Sequence, residues 1–251
     1  MTTRTATATP QPPLTQLDLP GQRHVAQGPN DHTGMYVMHH AFRRDLAAFA
    51  SAVPRTPLGD AETWAALARR WERFAFTLHH HHTVEDEIYW PALMTAVQAR
   101  GSDADRVEVA AMSEEHADID PLLAACGAGL RAVVEHPCEE HRNALDIRLA
   151  GLREVLGEHL RHEETVVLPL VQRTMTTEEF DVVEQRIGKA YPVRGIPFIV
   201  GWAMYGLPPR GQERMFATAG QGYRVLHALL RRRFARAEER TFRYGERGAV
   251  L

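Results

Sequence analysis

Four segments of this chain carry apolar residues at alternating intervals of three and four positions, and this spacing limits the fold more than any other feature. The fourth segment shows the repeat in full: Leu145, Leu149, Leu152, Leu156, His159, Glu163, Val166 and Leu170. Such a spacing forms one stripe along one face of an α-helix, as is typical of helices that pack into a bundle. The other three segments keep the same alternation, starting from Met35, Trp64 and Val109.

Helix-breaking stretches separate the four segments. They are residues 51–59, residues 100–103 and His136-Pro137. Short connections between long helices favour antiparallel neighbours. The sequence therefore predicts an all-α fold, an up-down-up-down four-helix bundle over residues 29–176. Residues 1–28, rich in Thr and Pro, are predicted to be a disordered tail. Residues 177–251 are predicted to form a helical extension that packs on the bundle.

Six positions in the four stripes hold ionisable side chains in place of apolar ones. They are His39, His81, Glu85, His116, His159 and Glu163. Burial of a carboxylate without a partner is costly, so these side chains need a shared partner. A metal centre provides one. Imidazole and carboxylate together suit iron or manganese, with zinc as a further alternative. The six residues are therefore the predicted metal ligands.

The chain contains 14 histidines, and the stripes separate the predicted ligands from their neighbours. Five histidines next to the ligands lie off the stripes: His40, His79, His80, His82 and His162. We expect these five to be solvated or to support the ligands without binding metal. A single histidine in a stripe is more often an ordinary core residue. Six polar stripe residues in a repeated spacing argue against that interpretation here.

The ligand pattern occurs twice along the chain. In each copy a His at position i is followed by Glu at i+4, an acid at i+5 and Pro at i+10, and the copies begin at His81 and His159. Positions i and i+4 share one helix face, so both side chains can reach one ion. His39 precedes the first copy by 42 residues, and His116 precedes the second by 43. This repeat predicts two metals bridged by the two glutamates. Each proline is expected to kink or end its helix beyond the ligands.

With these motifs, roughly residues 30–175 resemble the hemerythrin-like, or HHE cation-binding, family. The resemblance rests on His39 before Phe42-Arg43-Arg44, His81-x3-Glu85 before Tyr89-Trp90-Pro91, Glu115-His116, and His159-x3-Glu163 before Pro169. It implies a four-helix bundle with a non-haem di-iron centre. Members of the family bind or sense dioxygen, sense iron, or consume peroxide or nitric oxide.

The chain departs from the oxygen-carrying hemerythrins at two points. Those proteins have a second histidine four residues after the helix C histidine, where this chain has Asp120, and HxxxxD on helix D, where this chain has HxxxE. Asp120 shares a helix face with His116. It is either a further ligand, a partner of a ligand, or an ordinary helix residue before Pro121. Four histidines instead of five should leave more open coordination positions, which favours redox reactivity over reversible oxygen carriage.

The predicted function is that of a hemerythrin-like protein with two non-haem Fe ions that binds, senses or reacts with a small oxidant. Dioxygen, peroxide and nitric oxide are the candidate ligands, and no catalytic residue is assigned. One alternative is a di-iron oxidoreductase that acts on an organic substrate, for which a deep apolar pocket beside the ligands would speak. Another is a non-catalytic, metal-stabilised regulatory or interaction module.

Composition limits the partners of the chain. A formal net charge of −3 gives no reason to expect nucleic acid binding. No stretch approaches the roughly 18 apolar residues of a membrane span, and the first residues lack the apolar core of a secretory signal. We therefore expect a cytoplasmic protein. Two cysteines, Cys126 and Cys138, are too few for a disulfide framework.

The extension is predicted to begin with a helix from Glu178 to Arg186, capped by Thr177 and ended by Gly188. Residues 189–211, rich in Pro, Gly and aromatic residues, are expected to form a lid across the bundle. The lid residues are Phe198, Trp202 and Tyr205. A partner-binding patch is the alternative.

A last helix, over about residues 221–244, completes the extension. It has an apolar stripe of Tyr223, Leu226, Leu230 and Phe234 beside seven arginines. A basic amphipathic helix can bind an acidic protein partner or a membrane surface. An ordinary solvated face, with Glu238 and Glu239 among the arginines, is the simpler interpretation.

Overall fold

The computed structural model describes residues 14–246. Regular secondary structure within this range is entirely helical, which confirms the all-α prediction. The helices are α1 (Thr33–Ala52), α2 (Ala61–Val84), α3 (Trp90–Arg100), α4 (Asp103–Glu135), α5 (Glu139–His162), α6 (Leu168–Thr174), α7 (Thr177–Ala190), α8 (Ile196–Met204) and α9 (Pro209–Thr241). Short 3₁₀ turns lie at Val53–Arg55 and Val193–Gly195.

The four predicted segments correspond to α1, α2 with α3, α4, and α5 with α6, and these are called the core helices below. Helix α4 packs against α2 and α5, and α1 packs against the same two helices. The apolar stripes meet between them. Every stripe residue predicted for the third segment, from Val109 to Val133, is buried. The hydrophobic core thus surrounds the polar stripe residues on all four helices.

Local sequence signals fix where the core helices start. Ser102 caps α4 in a reciprocal capping box with Asp105, and the Asp60 carboxylate accepts the backbone N–H of Thr63 at the start of α2. In the extension, the predicted cap is wrong by one residue. Thr176, not Thr177, caps α7, and the helix continues through Gly188 to Ala190.

Two π-turns interrupt the long core helices directly after the polar stripe residues. They span Glu85–Tyr89 and Glu163–Val167, and each is closed by a bond from residue i+5, Trp90 N–H to Glu85 O in the first. Because a π-turn holds one extra residue, the stripe moves on by one position. Tyr89 and Val167 are buried where Ile88 and Val166 were predicted to be. The predicted alternation is therefore wrong at Ile88 and Val166, whereas Leu170, the last predicted stripe residue, is buried.

The two predicted helix kinks correspond to these π-turns. Pro91 and Pro169 are each the second residue after a π-turn, in the first turn of α3 and α6. A proline has no N–H to donate to the residue four positions earlier, so a regular α-turn loses a hydrogen bond there. The chain widens the turn instead, and helical structure continues beyond it as α3 and α6.

The predicted disordered tail needs correction over residues 14–28. Leu17, Leu19 and Ala26 are buried against the core helices. The Ala26 N–H donates to Oη of Tyr36, and the Gln172 amide donates to the carbonyl of Ala26. Isolated apolar residues in a polar, proline-rich stretch anchor this segment along the bundle. Residues 1–13 of the predicted tail lie outside the described residues.

Helices α8 and α9 of the extension lie on the outside of α1 and α2, whereas α7 packs against the first π-turn. Helices α8 and α9 both contact α1, and α9 also contacts α2. Trp202 is fully buried, with its ring 5.1 Å from the ring of Phe42. Gly220, at φ +82°, interrupts the helical geometry of α9, so the predicted last helix begins directly after it. Among residues 14–246, no helix is both long and apolar enough to cross a membrane.

Candidate metal centre

The six polar stripe residues converge between the core helices. Helices α1, α2, α4 and α5 each supply one histidine, and the first residue of each π-turn supplies one glutamate. All six side chains are buried, the most exposed being His81 at 5%. The ligand-type atoms of Glu85, His116 and Glu163 all lie within 4.8 Å of one another.

The four histidines form two pairs. The rings of His39 and His81 are 5.8 Å apart, and those of His116 and His159 are 4.8 Å apart. The first pair comes from α1 and α2, and the second comes from α4 and α5. This grouping reproduces the two copies of the sequence pattern, each of which contributes one pair.

Each glutamate reaches one histidine of each pair. One oxygen of Glu85 lies 3.2 Å from Nε2 of His81, and its other oxygen lies 3.6 Å from Nε2 of His116. Oε2 of Glu163 lies 3.1 Å from Nε2 of His39 and 3.5 Å from Nε2 of His159. The two carboxylates therefore span the gap between the histidine pairs, which is the position that a bridging ligand needs.

Acidic side chains orient three of the four histidines. Nδ1 of His39 lies 3.0 Å from Glu164, and Nδ1 of His116 lies 3.0 Å from Asp86. Nδ1 of His159 lies 2.8 Å from Glu115. When Nδ1–H donates to a carboxylate, Nε2 is left as the unprotonated atom. Carboxylate partners of this kind are typical of metal-binding histidines.

Asp86 and Glu164 follow the repeat of the sequence. Each immediately follows a π-turn glutamate, and each contacts the histidine that precedes the other copy of the pattern, His116 for Asp86 and His39 for Glu164. The sequence shows the acid at i+5 but not its partner, because the contact depends on how the helices pack. Glu115 precedes His116, and its second oxygen accepts from Nδ1 of His162, 2.7 Å away.

The inward atoms of this cluster lie within ion-pair distance of one another, but within the described residues none of these contacts has the geometry of a hydrogen bond. The unpartnered atoms are Nε2 of His39, His81, His116 and His159, and both carboxylate oxygens of Glu85 and Glu163. A buried polar atom without a partner is costly, and native proteins rarely keep several together. Four imidazole nitrogens and four carboxylate oxygens that face one another form a set that cations satisfy. The residues fit a metal centre on these grounds.

The charge balance of the cluster points the same way. Burial, together with the charges of Glu163 and Asp86, raises the pKa of Glu85 well above its ordinary value. Burial also raises the pKa of Glu163, but the nearby His159 and His39 have a larger opposite effect, so the pKa of that carboxyl is lowered. The protein groups alone thus favour only one ionised carboxylate. A cation between the two would favour both.

His82 is the residue that the stripe argument missed. It was expected to be solvated or supporting, yet it is 2% exposed. Its ring stacks on that of His116 at 4.1 Å, with 6° between the planes. The repeat carries a signal for this position, because the equivalent residue after His159 is the fully buried Leu160.

The other neighbouring histidines lie around the centre in different ways. His79 is exposed, and His80 is half-buried with its ring stacked on Phe76. His40 is buried, with Nδ1 3.3 Å from the carbonyl of Pro20. His162 holds Glu115, which contacts His159 directly. His162 thus supports a proposed ligand through Glu115, which is one of the two roles expected for the off-stripe histidines.

Asp120 does not reach the six-residue cluster. Its side chain is 47% exposed, and its carboxylate lies 3.2 Å from Nδ1 of His79 on the surface. The two residues face each other across α2 and α4. Of the alternatives for Asp120, a ligand role is wrong, because the chain turns this carboxylate towards solvent.

One family model matches the chain, the hemerythrin HHE cation-binding domain, over residues 32–171. The match covers more than half of the sequence. The chain belongs to the hemerythrin HHE cation-binding domain family. This family binds metal cations, and the matched range contains all six residues of the cluster. No curated protein and no solved structure matches the chain.

Proposed function

We propose that this HHE domain holds two non-haem iron ions and binds, senses or reacts with a small oxidant such as dioxygen, peroxide or nitric oxide. The proposed ligands are His39, His81, Glu85, His116, His159 and Glu163. One ion lies at the pair His39 and His81, and the other at His116 and His159. Manganese and zinc suit the same ligand types and are the competing metals.

The observation that carries this proposal is the position of Glu85 and Glu163. Each carboxylate contacts Nε2 atoms of two histidines that belong to different pairs. A structural ion pair would need only one partner for each acid. Carboxylates that reach both pairs, with every inward atom unpartnered, suit two neighbouring cations better than one.

An iron pair, when bound, can exchange electrons with a small oxidant. The residues of the chain prepare its surroundings. Glu164, Asp86 and Glu115 hold the Nδ1–H groups, so that Nε2 faces inward. Phe42 packs on His81 with ring centres 5.2 Å apart, and Trp202 packs on Phe42, so aromatic residues cover this side of the cluster. Exclusion of water strengthens every charge interaction inside such a site.

We also propose that the core helices form the up-down-up-down bundle and that residues 29–176 are the metal-binding domain. The contacts of α4 with α2 and α5, and of α1 with both, support this arrangement. Residues 177–251 would then be an accessory unit on the α1 and α2 side. A cytoplasmic location remains part of the proposal.

The test is metal content, followed by reaction. Protein purified without oxygen and loaded with ferrous iron should contain two irons per chain and change its optical spectrum on exposure to dioxygen, hydrogen peroxide or nitric oxide. A chain that binds two irons but consumes none of the three, and shows no spectral change, would lack the proposed oxidant function. A chain that takes up no iron under any loading condition would contradict the centre itself.

A groove between α2 and α4 bears on the organic-substrate alternative. Its lining includes Trp71, His79, Asp120 and Arg131, but none of the six proposed ligands. An organic substrate bound there would not touch the metal cluster. This groove therefore does not supply the apolar pocket beside the ligands that the organic-substrate alternative needs. If metal raises the melting temperature of the protein without any oxidant chemistry, the interaction-module alternative gains.

A further inference from the structure

His82 has no hydrogen-bond partner among the described residues. Both ring nitrogens are buried, and neither Nδ1 nor Nε2 has a donor or acceptor within reach. His40 is as buried, but only its Nε2 is unpartnered, because its Nδ1 lies near the Pro20 carbonyl. His32 is also buried with both nitrogens unpartnered, and its ring packs against Tyr36 and Phe180. A buried imidazole with two unpartnered nitrogens is expensive, and what the ring of His82 faces decides which ligand would satisfy it.

The ring of His82 faces the second histidine pair. It lies parallel to His116 at 4.1 Å and edge-on to His159 at 5.3 Å. One nitrogen from each of His82, His116 and His159 can be chosen so that all three atoms lie within 4.8 Å of one another. These three nitrogens are close enough to share one ion, but the ring of His82 must first turn out of its stack on His116, because an imidazole nitrogen binds a metal in the plane of its own ring. The same ion would meet Glu85 and Glu163 through their contacts with His116 and His159.

The first pair has no counterpart to His82. The two copies of the sequence pattern place Leu160 where the first copy has His82, and the Leu160 side chain is fully buried. A leucine cannot ligate. Any ligand role of His82 is therefore confined to the end of the cluster that holds His116 and His159.

We propose that His82 is a metal ligand, donating a ring nitrogen to the ion that His116 and His159 hold. The two metal positions then differ, one with two histidines and the other with three. This inference rests on the proposed metal pair. The third histidine comes from α2, one residue after the ligand His81, and not from Asp120 on α4, which faces solvent.

The test compares His82→Ala with His40→Ala under anaerobic loading with ferrous iron. Each changed histidine is buried and directly follows a proposed ligand, so the two variants are matched. Wild type and His40→Ala should bind two irons with equal affinity. His82→Ala should keep one iron and bind the second at least about tenfold more weakly, since loss of even a supporting partner costs that much. Added imidazole should restore part of the loss.

The outcomes separate this inference from the proposed function. If wild type binds two irons and His82→Ala binds two with the same affinity, the role of His82 is wrong and the metal pair stands. If wild type binds one iron, which His82→Ala loses, the metal pair is wrong and the role of His82 stands. If wild type binds none, both are wrong.

A second measurement covers the case in which His82→Ala does not fold. Wild type labelled with ¹⁵N in its histidine rings is titrated with Zn²⁺, and His82→Gln identifies the His82 signals. A ring nitrogen of His82 should shift on saturation together with those of His116 and His159. Unchanged His82 ring signals at saturation, with His116 and His159 shifted, would overturn the inference.

Discussion

Nδ1 of His39 lies 3.0 Å from Oε1 of Glu164, and both side chains are completely buried. Arg43 also contacts Glu164 through two nitrogens, and the backbone N–H of Arg23 donates to its second oxygen at 2.7 Å. Glu164 is thus fixed on all sides and in turn fixes the ring of His39. The segment before α1 takes part in this arrangement, although the sequence alone suggests a tail.

Glu164→Ala should weaken metal binding about 10- to 100-fold without removing a proposed ligand, because His39 loses the acceptor that orients its ring. Competition with a chelator of known affinity measures the change. Glu158→Ala is the control, since Glu158 is 66% exposed and contacts only Arg161. Equal affinities in the two variants would argue against the supporting role of Glu164.

Replacement of a carboxylate proposed to bridge the metals should have a larger effect than replacement of a neighbouring histidine. Glu85→Ala and Glu163→Ala should each lose metal, because each removes an oxygen pair that faces both histidine pairs. His80→Ala should retain wild-type metal content, since its ring stacks on Phe76 away from the cluster. Metal analysis after anaerobic purification measures all three. Equal metal content in the three variants would contradict the assignment of the stripe residues as ligands.

The six proposed ligands could be selected from the sequence because the spacing that identifies them is local. A residue and its i+4 neighbour share a helix face whatever surrounds the helix, so His81 and Glu85 can be paired from spacing alone. The all-α fold is predictable for the same reason. The break before α4 also rests on local chemistry, the capping box of Ser102.

Contacts between helices could not be read from the sequence. His82 is turned about 100° around its helix from His81, which suggests solvent. Helix α4 covers that side of α2, however, and its His116 ring stacks on His82. The π-turns could not be predicted for a different reason. An extra residue leaves the apolar spacing ambiguous, because Ile88 and Tyr89 are adjacent and both apolar in character.

A buried ion cluster between the core and the extension should control stability. Asp45 is buried and accepts from Nε of Arg70 at 2.9 Å and from Arg44 at 3.0 Å, while Arg70 also contacts buried Glu238 of α9. Asp45→Asn leaves two buried guanidinium groups without their central carboxylate. We expect the free energy of unfolding to fall by about 3–5 kcal/mol.

The pH dependence of unfolding in the same variant tests whether ionised Asp45 stabilises the fold. Burial alone would raise the pKa of Asp45, but the charges and hydrogen bonds of Arg70 and Arg44 outweigh it and lower the pKa. A carboxyl whose pKa is lower in the folded than in the unfolded protein stabilises the fold at pH values above its unfolded pKa of about 3.9. This contribution is lost as the pH falls through the pKa of the folded state. Asp45→Asn should therefore flatten the decline in wild-type stability below about pH 4. Urea unfolding at several pH values, with the 90% exposed Asp103 changed to Asn as control, measures it. Parallel declines in wild type and Asp45→Asn would contradict the assignment.

The packing of α8 against α9 depends on Gly201. A Cβ atom there would lie 2.7 Å from Cδ2 of Phe234, whose ring also packs against Phe198 and Tyr205 and cannot retreat freely. Gly201→Ala should lower the free energy of unfolding by about 1–3 kcal/mol through this overpacking. Thermal unfolding measures the loss.

Gly222→Ala in α9 is the matched control for Gly201→Ala, because its Cβ would meet no atom within 4 Å. A glycine inside a helix costs roughly 0.5–1 kcal/mol relative to alanine, so this control should be neutral or slightly stabilising. The comparison also bears on the extension as a lid, because Trp202 follows Gly201 and packs on Phe42. If Gly201→Ala changes stability no more than Gly222→Ala does, α8 is not held in place by α9, and cover for the His81 side must come from α1 alone.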